Sequence, residues 1–277
     1  MRKLTALILA TLLCLSALSG CETTPATPDK TLSVTVLPIG AADSILLKTE
    51  NTAVLIDCGT KDDADIILST LRAQGVRKLD KLIVTHYDKD HIGAAADVLK
   101  AVDVVQVIQS PYTGNTGSNY DRYKAALPFA DSVISPTETL RFSLGGVNYT
   151  VMPPTKSDYG KNTDNNVSLA VRAVHGQQRF LFAGDAEADR LLELMESGED
   201  LAADFLKVPH HGRHNKRSTV FLGKVAPAHA VITCSDEEPA EQEVLQVLSQ
   251  LGAAVYQTKT QGVTAVSDGT VLTVSVF

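Results

Sequence analysis

The sequence predicts one α/β domain of layered sheets flanked by helices, running from about Thr31 to Phe277. Three observations carry that expectation. Short, β-branched apolar runs recur in groups bounded by Gly, Asn, Asp or Glu; stretches with helical spacing interrupt them; and neither a repeat of fixed period nor a second linker divides the chain. With 277 residues and 44% hydrophobic content, the chain can bury a sizeable core and falls outside the disordered class. A formal net charge of −7 excludes a general positive field for nucleic acid, so any polyanionic substrate has to be captured locally.

The first residues read as an address. Arg2 and Lys3 precede an apolar stretch over 4–18 that is too short to span a bilayer comfortably, and Leu18-Ser19-Gly20-Cys21 follows. This resembles a bacterial lipoprotein signal. It implies removal of residues 1–20, lipidation of Cys21, and an exported protein anchored to a membrane of the cell envelope. Residues 21–30, with Thr23, Thr24, Pro25, Thr27 and Pro28, form a Pro/Thr tether, and 31–277 the globular domain. Cys14 leaves with the signal. Cys58 and Cys234 each lie beside an apolar run, so both are expected as buried free thiols rather than as a disulfide framework.

Strand signals begin at 32–37, 44–48 and 53–56, the last ending in Asp57-Cys58-Gly59. An amphipathic helix over 62–74 carries Ile66, Ile67 and Leu71 and stops at Gly75. Leu82-Ile83-Val84 is a short buried strand, a helix starts at Gly93, and 104–108 is another strand. The polar segment 110–123 after it, with Tyr112, Tyr120 and Tyr123, reads as a substrate loop or a plain surface connection. Strands are expected at 147–152, 167–174 and 179–182, with a polar loop over 155–166. Later strands fall at 205–208, 230–233, 254–257, 263–267 and 271–276, and helices at 186–196, 219–224 and 240–251.

Between strand and helix stands Thr85-His86-Tyr87-Asp88-Lys89-Asp90-His91-Ile92-Gly93. Two histidines and two carboxylates in six positions are a metal-ligand pattern, set on the loop at the carboxyl end of a strand where open α/β folds place their sites. Imidazole and carboxylate suit zinc, manganese or iron, and so many donors exceed what one tetrahedral ion uses. Two later strand ends add more. Gly184-Asp185 closes one apolar run, where Asp185 reads as a ligand or as a helix cap, and Pro209-His210-His211-Gly212 closes another. His175, in a hairpin turn, and His229, at a strand start, read as structural or surface residues.

Taken together, Asp57-x-Gly59, His86-x-Asp88-x-Asp90-His91, Gly184-Asp185 and His210-His211-Gly212 resemble the metallo-β-lactamase fold, and specifically the metallohydrolase domain of the ComEC competence-protein family. Gly40-Ala41-Ala42-Asp43-Ser44-Ile45-Leu46 and Asn165-Asn166-Val167-Ser168-Leu169 resemble further stretches of that branch. The resemblance spans the hydrolase-like part and not the competence proteins' transmembrane channel. It implies a four-layer αββα sandwich holding two divalent metal ions, Zn²⁺ or Mn²⁺. His86 and Asp88 would bind one ion; Asp90, His91 and one of His210 and His211 the other; Asp185 would bridge them. Position favours His210, leaving His211 as an alternative ligand or a donor to substrate, and Asp90 and His211 are the candidate catalytic residues. Where the fold often carries a histidine four residues before Ser168, this chain has Asp164, an oxygen donor that makes Mn²⁺ a serious rival to Zn²⁺. A late histidine before proline is replaced by Asp236-Glu237-Glu238-Pro239, and Asp57 is expected to support the ligand loops rather than bind metal.

A dinuclear centre of this kind acidifies a bridging water and stabilises charge on a transferring group, so hydrolysis is the reaction class and a phosphodiester suits the two-metal clamp. Arg213, Lys216 and Arg217, with His214, form the densest basic cluster, either a phosphate contact or a solvated turn. The leading expectation is an envelope phosphodiesterase or nuclease. Its rivals are a phosphorylcholine-esterase-like hydrolase of envelope polymers or small phosphodiesters, and an inactive binding or sensory lipoprotein. No protein partner is predicted.

Overall fold

Residues 29–277 are described by a computed structural model. The expected signal, the lipidation site Cys21 and most of the tether lie outside the described residues. Nine strands make the first sheet: β1 (Leu32–Val36), β2 (Ile45–Lys48), β3 (Ala53–Ile56), β4 (Lys78–Leu79), β5 (Lys81–Val84), β6 (Asp103–Gln109) and β7 (Ala130–Ile134), joined later by two more. The second sheet holds β8 (Leu140–Leu144), β9 (Val147–Met152), β10 (Ala170–His175), β11 (Gln178–Phe182), β12 (Phe205–Lys207), β13 (His229–Ile232) and β14 (Ala254–Gln257). The chain then returns to the first sheet with β15 (Val263–Ser267), antiparallel to β1, and β16 (Leu272–Val276).

Alternation along the strands explains the layering. In β3, Val54 and Ile56 face the second sheet, where they meet a core that includes Phe180, Phe182 and Phe205, while Ala53 and Leu55 face the opposite way. Both faces are covered, so the strand reads as a continuous apolar run. The helices α1 (Ala64–Ala73), α2 (Lys89–Ile92), α3 (Ala95–Ala101) and α4 (Ser118–Ala126) accompany the first sheet, with Ile67, Leu71, Val98, Leu99 and Tyr123 in its outer core. After the short α5 (Thr163–Asn166), α6 (Ala188–Glu196), α7 (Ser218–Val225) and α8 (Gln242–Gln250) cover the second sheet through Leu191, Leu194, Phe221, Leu222, Val244 and Leu248. The result is an αββα sandwich.

Three local expectations change. The polar segment 110–123 is not all loop: α4 grows from it and buries Tyr120 and Tyr123, Tyr120 packing on Tyr87 with ring centroids 4.8 Å apart. The strand expected from Val167 starts only at Ala170, because Val167 and Ser168 still bond back to Thr163 and Asn165, and Leu169 N–H donates to the Thr85 carbonyl. The half-exposed strands β7 and β8 had no counterpart in the apolar pattern. Cys58 and Cys234 are buried free thiols. Among the described residues, no helix is long and apolar enough to cross a membrane.

One pole of the sandwich gathers hairpin turns around Asp29. Its carboxylate accepts from the Thr49 hydroxyl, from Asn51 N–H at 3.1 Å and from Asn51 Nδ2 at 2.5 Å. Buried His175 reaches the Asp29 carbonyl through Nε2 at 3.4 Å and Ser267 Oγ through Nδ1 at 2.9 Å, which makes it structural. His229 lies 3.1 Å from the Tyr256 hydroxyl. β1, β3 and β11 all run from this pole towards the opposite one, where the chemistry-bearing residues collect.

Candidate metal centre

Every donor sits just beyond the carboxyl end of a strand: Asp57 after β3, Thr85 to His91 after β5, Asp185 after β11, His210 and His211 after β12, and Thr233 after β13. β3, β5 and β6 are parallel, as are β11 to β14, so these ends share one edge where the two sheets face each other. Close packing brings the loops together. At Gly93 an added Cβ would lie 2.3 Å from the Lys61 nitrogen, so only glycine lets the α2 to α3 junction pass the loop after β3.

Hydrogen bonds assign the imidazole tautomers. His91 Nδ1 lies 2.8 Å from Asp57 Oδ2, and Asp57 also accepts from Thr85 N–H at 2.8 Å and Thr85 Oγ1 at 2.7 Å. Having donated to Asp57, Thr85 Oγ1 accepts from His86 Nδ1 at 3.1 Å. His211 Nδ1 lies 3.0 Å from the Thr233 carbonyl and 2.9 Å from Thr233 Oγ1, which itself donates to Asp43 Oδ1 at 2.7 Å. Each Nδ1 is thereby a donor, which leaves each Nε2 to face inward.

The inward atoms are the decisive ones. Nε2 of His86, His91 and His211, together with Asp185 Oδ1, are buried and make no hydrogen bond. His91 Nε2 lies 3.3 Å from Asp185 Oδ1; His211 Nε2 lies 3.2 Å from Asp185 Oδ2 and 3.3 Å from Asp90 Oδ2. Asp90, His91, Asp185 and His211 each offer one atom to a common focus. Asp88 Oδ2 stands 3.8 Å from His86 Nε2 beside that focus. Leaving several buried polar atoms unpaired is costly, and a divalent cation is the ligand that this nitrogen and oxygen set suits. The cluster is compatible with divalent metal binding.

Burial and the clustered carboxylates together set the charge on each side chain. Burial, then the neighbouring Asp90 carboxylate, pushes Asp88 up to about 6. Burial and the adjacent His91 push His86 down to about 3, so its ring is neutral. Burial acts downward on His211 too, but the Asp185 carboxylate outweighs it and raises the ring to about 9. Against the same penalty, Asp185 and Asp57 hold His91 well above the ordinary range.

Two expected ligands are placed elsewhere. His211, not His210, enters the donor set. Both residues hold left-handed backbones, φ 50° and 52°, and this turn sends the His210 ring to Glu187, 3.6 Å from Nδ1 to Oε1, and to Asn165. Asp164 is exposed on α5 and outside the cluster, reaching Asp88 only as a repulsive charge through space. The inward positions of that segment belong to Asn166 and Ser168. Asn166 Oδ1 accepts from Glu187 and Arg190 N–H and so caps α6, which relieves Asp185 of the capping role. Ser168 Oγ accepts from Asp185 N–H at 3.2 Å.

Of the basic cluster, Arg213 bonds Glu238 at 2.6 Å and Lys216 lies 3.7 Å from Asp189, each charge facing a surface carboxylate. Arg217 is half-buried at the start of α7. The groove beside His211, about 180 Å³, is lined by Arg213, Glu237, Glu238, Pro239 and Glu241. The sequence pattern singles out neither Lys207 nor Thr233, and Asp43 stands only inside a motif. The available signal was a lysine within the apolar run Phe205 to Val208.

A sequence profile of the Metallo-beta-lactamase superfamily matches residues 37–232. Competence protein ComA of Neisseria gonorrhoeae is 32% identical over 209 residues, 74% of this chain and 27% of the relative. Recombination protein 2 of Haemophilus influenzae is 28% identical over 240 residues, 84% of this chain and 28% of the relative. The chain thus spans little more than a quarter of the length of these relatives. Among solved structures, the metallo-beta-lactamase fold protein YhfI from Bacillus subtilis superposes with a TM-score of 0.56 at 16% identity, covering 83% of this chain and 97% of that one.

Proposed function

The chain belongs to the metallo-β-lactamase superfamily, in company with competence-protein relatives, and from that premise we propose that it is a metal-dependent phosphodiesterase displayed as a lipoprotein at the cell envelope. One observation carries the enzymatic reading: the Nε2 atoms of His91 and His211 and an Asp185 oxygen, buried and unpaired, meet beside Asp90, and the unpaired Nε2 of His86 lies in the neighbouring ring. Asp90, His91, Asp185 and His211 would hold one ion, and His86 with Asp88 a second that shares Asp185. Bound there, divalent metal supplies Lewis-acid polarisation of a phosphoryl oxygen and acidification of water. The chain's own contribution is preorganisation. Asp57 and Thr85 aim His91 and His86, and Thr233 aims His211. A relative named for recombination supports nucleic acid as the substrate.

A second reading, a small phosphodiester or an envelope headgroup, is favoured by Glu237, Glu238 and Glu241 around the groove at His211, which repel a long polyanion. Metal analysis of the purified domain, followed by Mn²⁺ and Zn²⁺ series on single-stranded DNA and on bis-p-nitrophenyl phosphate, tests both. Turnover of both compounds, lost in Asp90→Ala, is expected. Activity on the small diester alone moves the substrate to the second reading, and unchanged metal content and turnover in Asp90→Ala overturns the site. Fatty-acid labelling that vanishes in Cys21→Ser tests the anchor.

A further inference from the structure

Beneath the donors lies a charged pair that the proposed reaction does not use. Lys207 has no exposed surface; its Nζ bonds Asp43 Oδ2 and lies 3.7 Å from Asp185 Oδ1 and 3.5 Å from the Gly184 carbonyl. An ammonium group buried beside Phe205, Leu206 and Val208 is unfavourable unless paired, and an apolar residue would fill that place without the desolvation penalty. Asp43 is bound from every side. Its N–H donates to the Asp90 carbonyl at 3.0 Å, its carbonyl accepts from Gly59 N–H at 2.7 Å, and its Oδ1 accepts from Thr233 Oγ1 at 2.7 Å.

These contacts cross between the sheets. Asp43, Gly59 and Asp90 follow strands of the first sheet, whereas Lys207 and Thr233 belong to the second. The donor set is divided in the same way, Asp90 and His91 on one side and Asp185 and His211 on the other.

We propose that Lys207 and Asp43 are positioning residues for the metal centre: the pair fixes Thr233, which presents His211 through Nδ1, and sets the gap between the two halves of the donor set. The inference rests on the metal-site reading above. Neither side chain is placed to touch substrate, since both are buried.

The test compares Thr233→Val, Lys207→Met and the double variant Lys207→Met/Asp43→Asn with the parent. Mn²⁺ or Zn²⁺ affinity is measured by indicator competition, thermal midpoints by melting, and exchange of the His211 Nδ1–H proton by NMR on the metal-free protein. Thr233→Val is expected to weaken metal binding about tenfold or more and to speed that proton's exchange about tenfold. Lys207→Met melts early because the buried Asp43 carboxylate loses its counter-charge. The double variant regains the parent's midpoint and still binds metal at least about tenfold more weakly. If the double variant matches the parent in both midpoint and affinity, the pair is a stability element only and the inference falls. It falls equally if Thr233→Val leaves proton exchange unchanged. A parent that binds no divalent ion overturns the metal-site reading instead, and proton exchange still decides whether Thr233 orients His211. Should Lys207→Met fail to fold, the other two variants give the answer.

Discussion

His91 Nδ1 stands 2.8 Å from Asp57 Oδ2 with neither side chain exposed, and Asp57 adopts a left-handed backbone, φ 59°, in doing so. One carboxylate thereby steers His91 directly and His86 through Thr85. Asparagine tolerates that backbone and keeps the shape, but it gives up the charge and can turn an amide N–H towards the ring. Asp57→Asn is therefore expected to fold and to bind divalent metal about 10- to 100-fold more weakly, read by competition with a fluorescent chelator. Unchanged affinity would remove Asp57 from the supporting role.

The two histidines of the strained turn separate cleanly. His211→Ala should lose bound metal after dialysis, whereas His210→Ala should retain it, measured by elemental analysis. Metal held at about 100 times its dissociation constant stabilises a fold by about 2.7 kcal/mol. Chelation should accordingly lower the melting temperature of the parent and of His210→Ala but hardly move that of His211→Ala. The opposite pattern would restore His210 as the ligand.

Arg190 is a buried guanidinium whose Nε reaches the Ser168 carbonyl at 3.1 Å, whose Nη2 reaches the Met152 carbonyl at 2.6 Å, and whose Nη1 faces Glu193 at 3.2 Å. Replacing it with leucine takes the donor from two carbonyls and the counter-charge from Glu193, which keeps only the bonds from Thr155 and Tyr159. Arg190→Leu is expected to cost about 3–5 kcal/mol in urea unfolding. A loss under about 1 kcal/mol would show that the surroundings re-pair without it.

Asp204 accepts three bonds from Arg179, from N–H, Nε and Nη2, and the Arg179 side chain holds its carboxyl below the usual range. A carboxyl depressed by folding contributes stability above its unfolded value, near 4, and loses that contribution as pH falls through its folded value. Parent and Asp204→Asn should thus differ in urea midpoint at pH 7, by less than about 1 kcal/mol for so exposed a pair, and the difference should shrink as the pH is lowered below the ordinary carboxylate range. A difference that grows on acidification would reverse the sign assigned to Asp204.

What the sequence disclosed follows from physical range. Spacing after a strand end is local, so His86, Asp88, Asp90, His91 and Asp185 could be read directly, and so could the apolar runs that fill the layers. The choice between His210 and His211 hangs on two positive φ angles, which no composition announces. Lys207 is concealed by the apolar run around it, and its partner Asp43 is 164 positions away in another sheet. The helix α4 is mostly polar and contributes only two tyrosines and an alanine to the core, too few for a periodic signal.

The collar of turns around Asp29 has a mechanical meaning. Asp29 itself is fastened at the base of the sandwich, and β1 carries the backbone from there towards Asp43 and the donors at the crown. A pull on the backbone at Asp29 would be borne first by Thr49, Asn51 and His175, a full strand away from the donor loops.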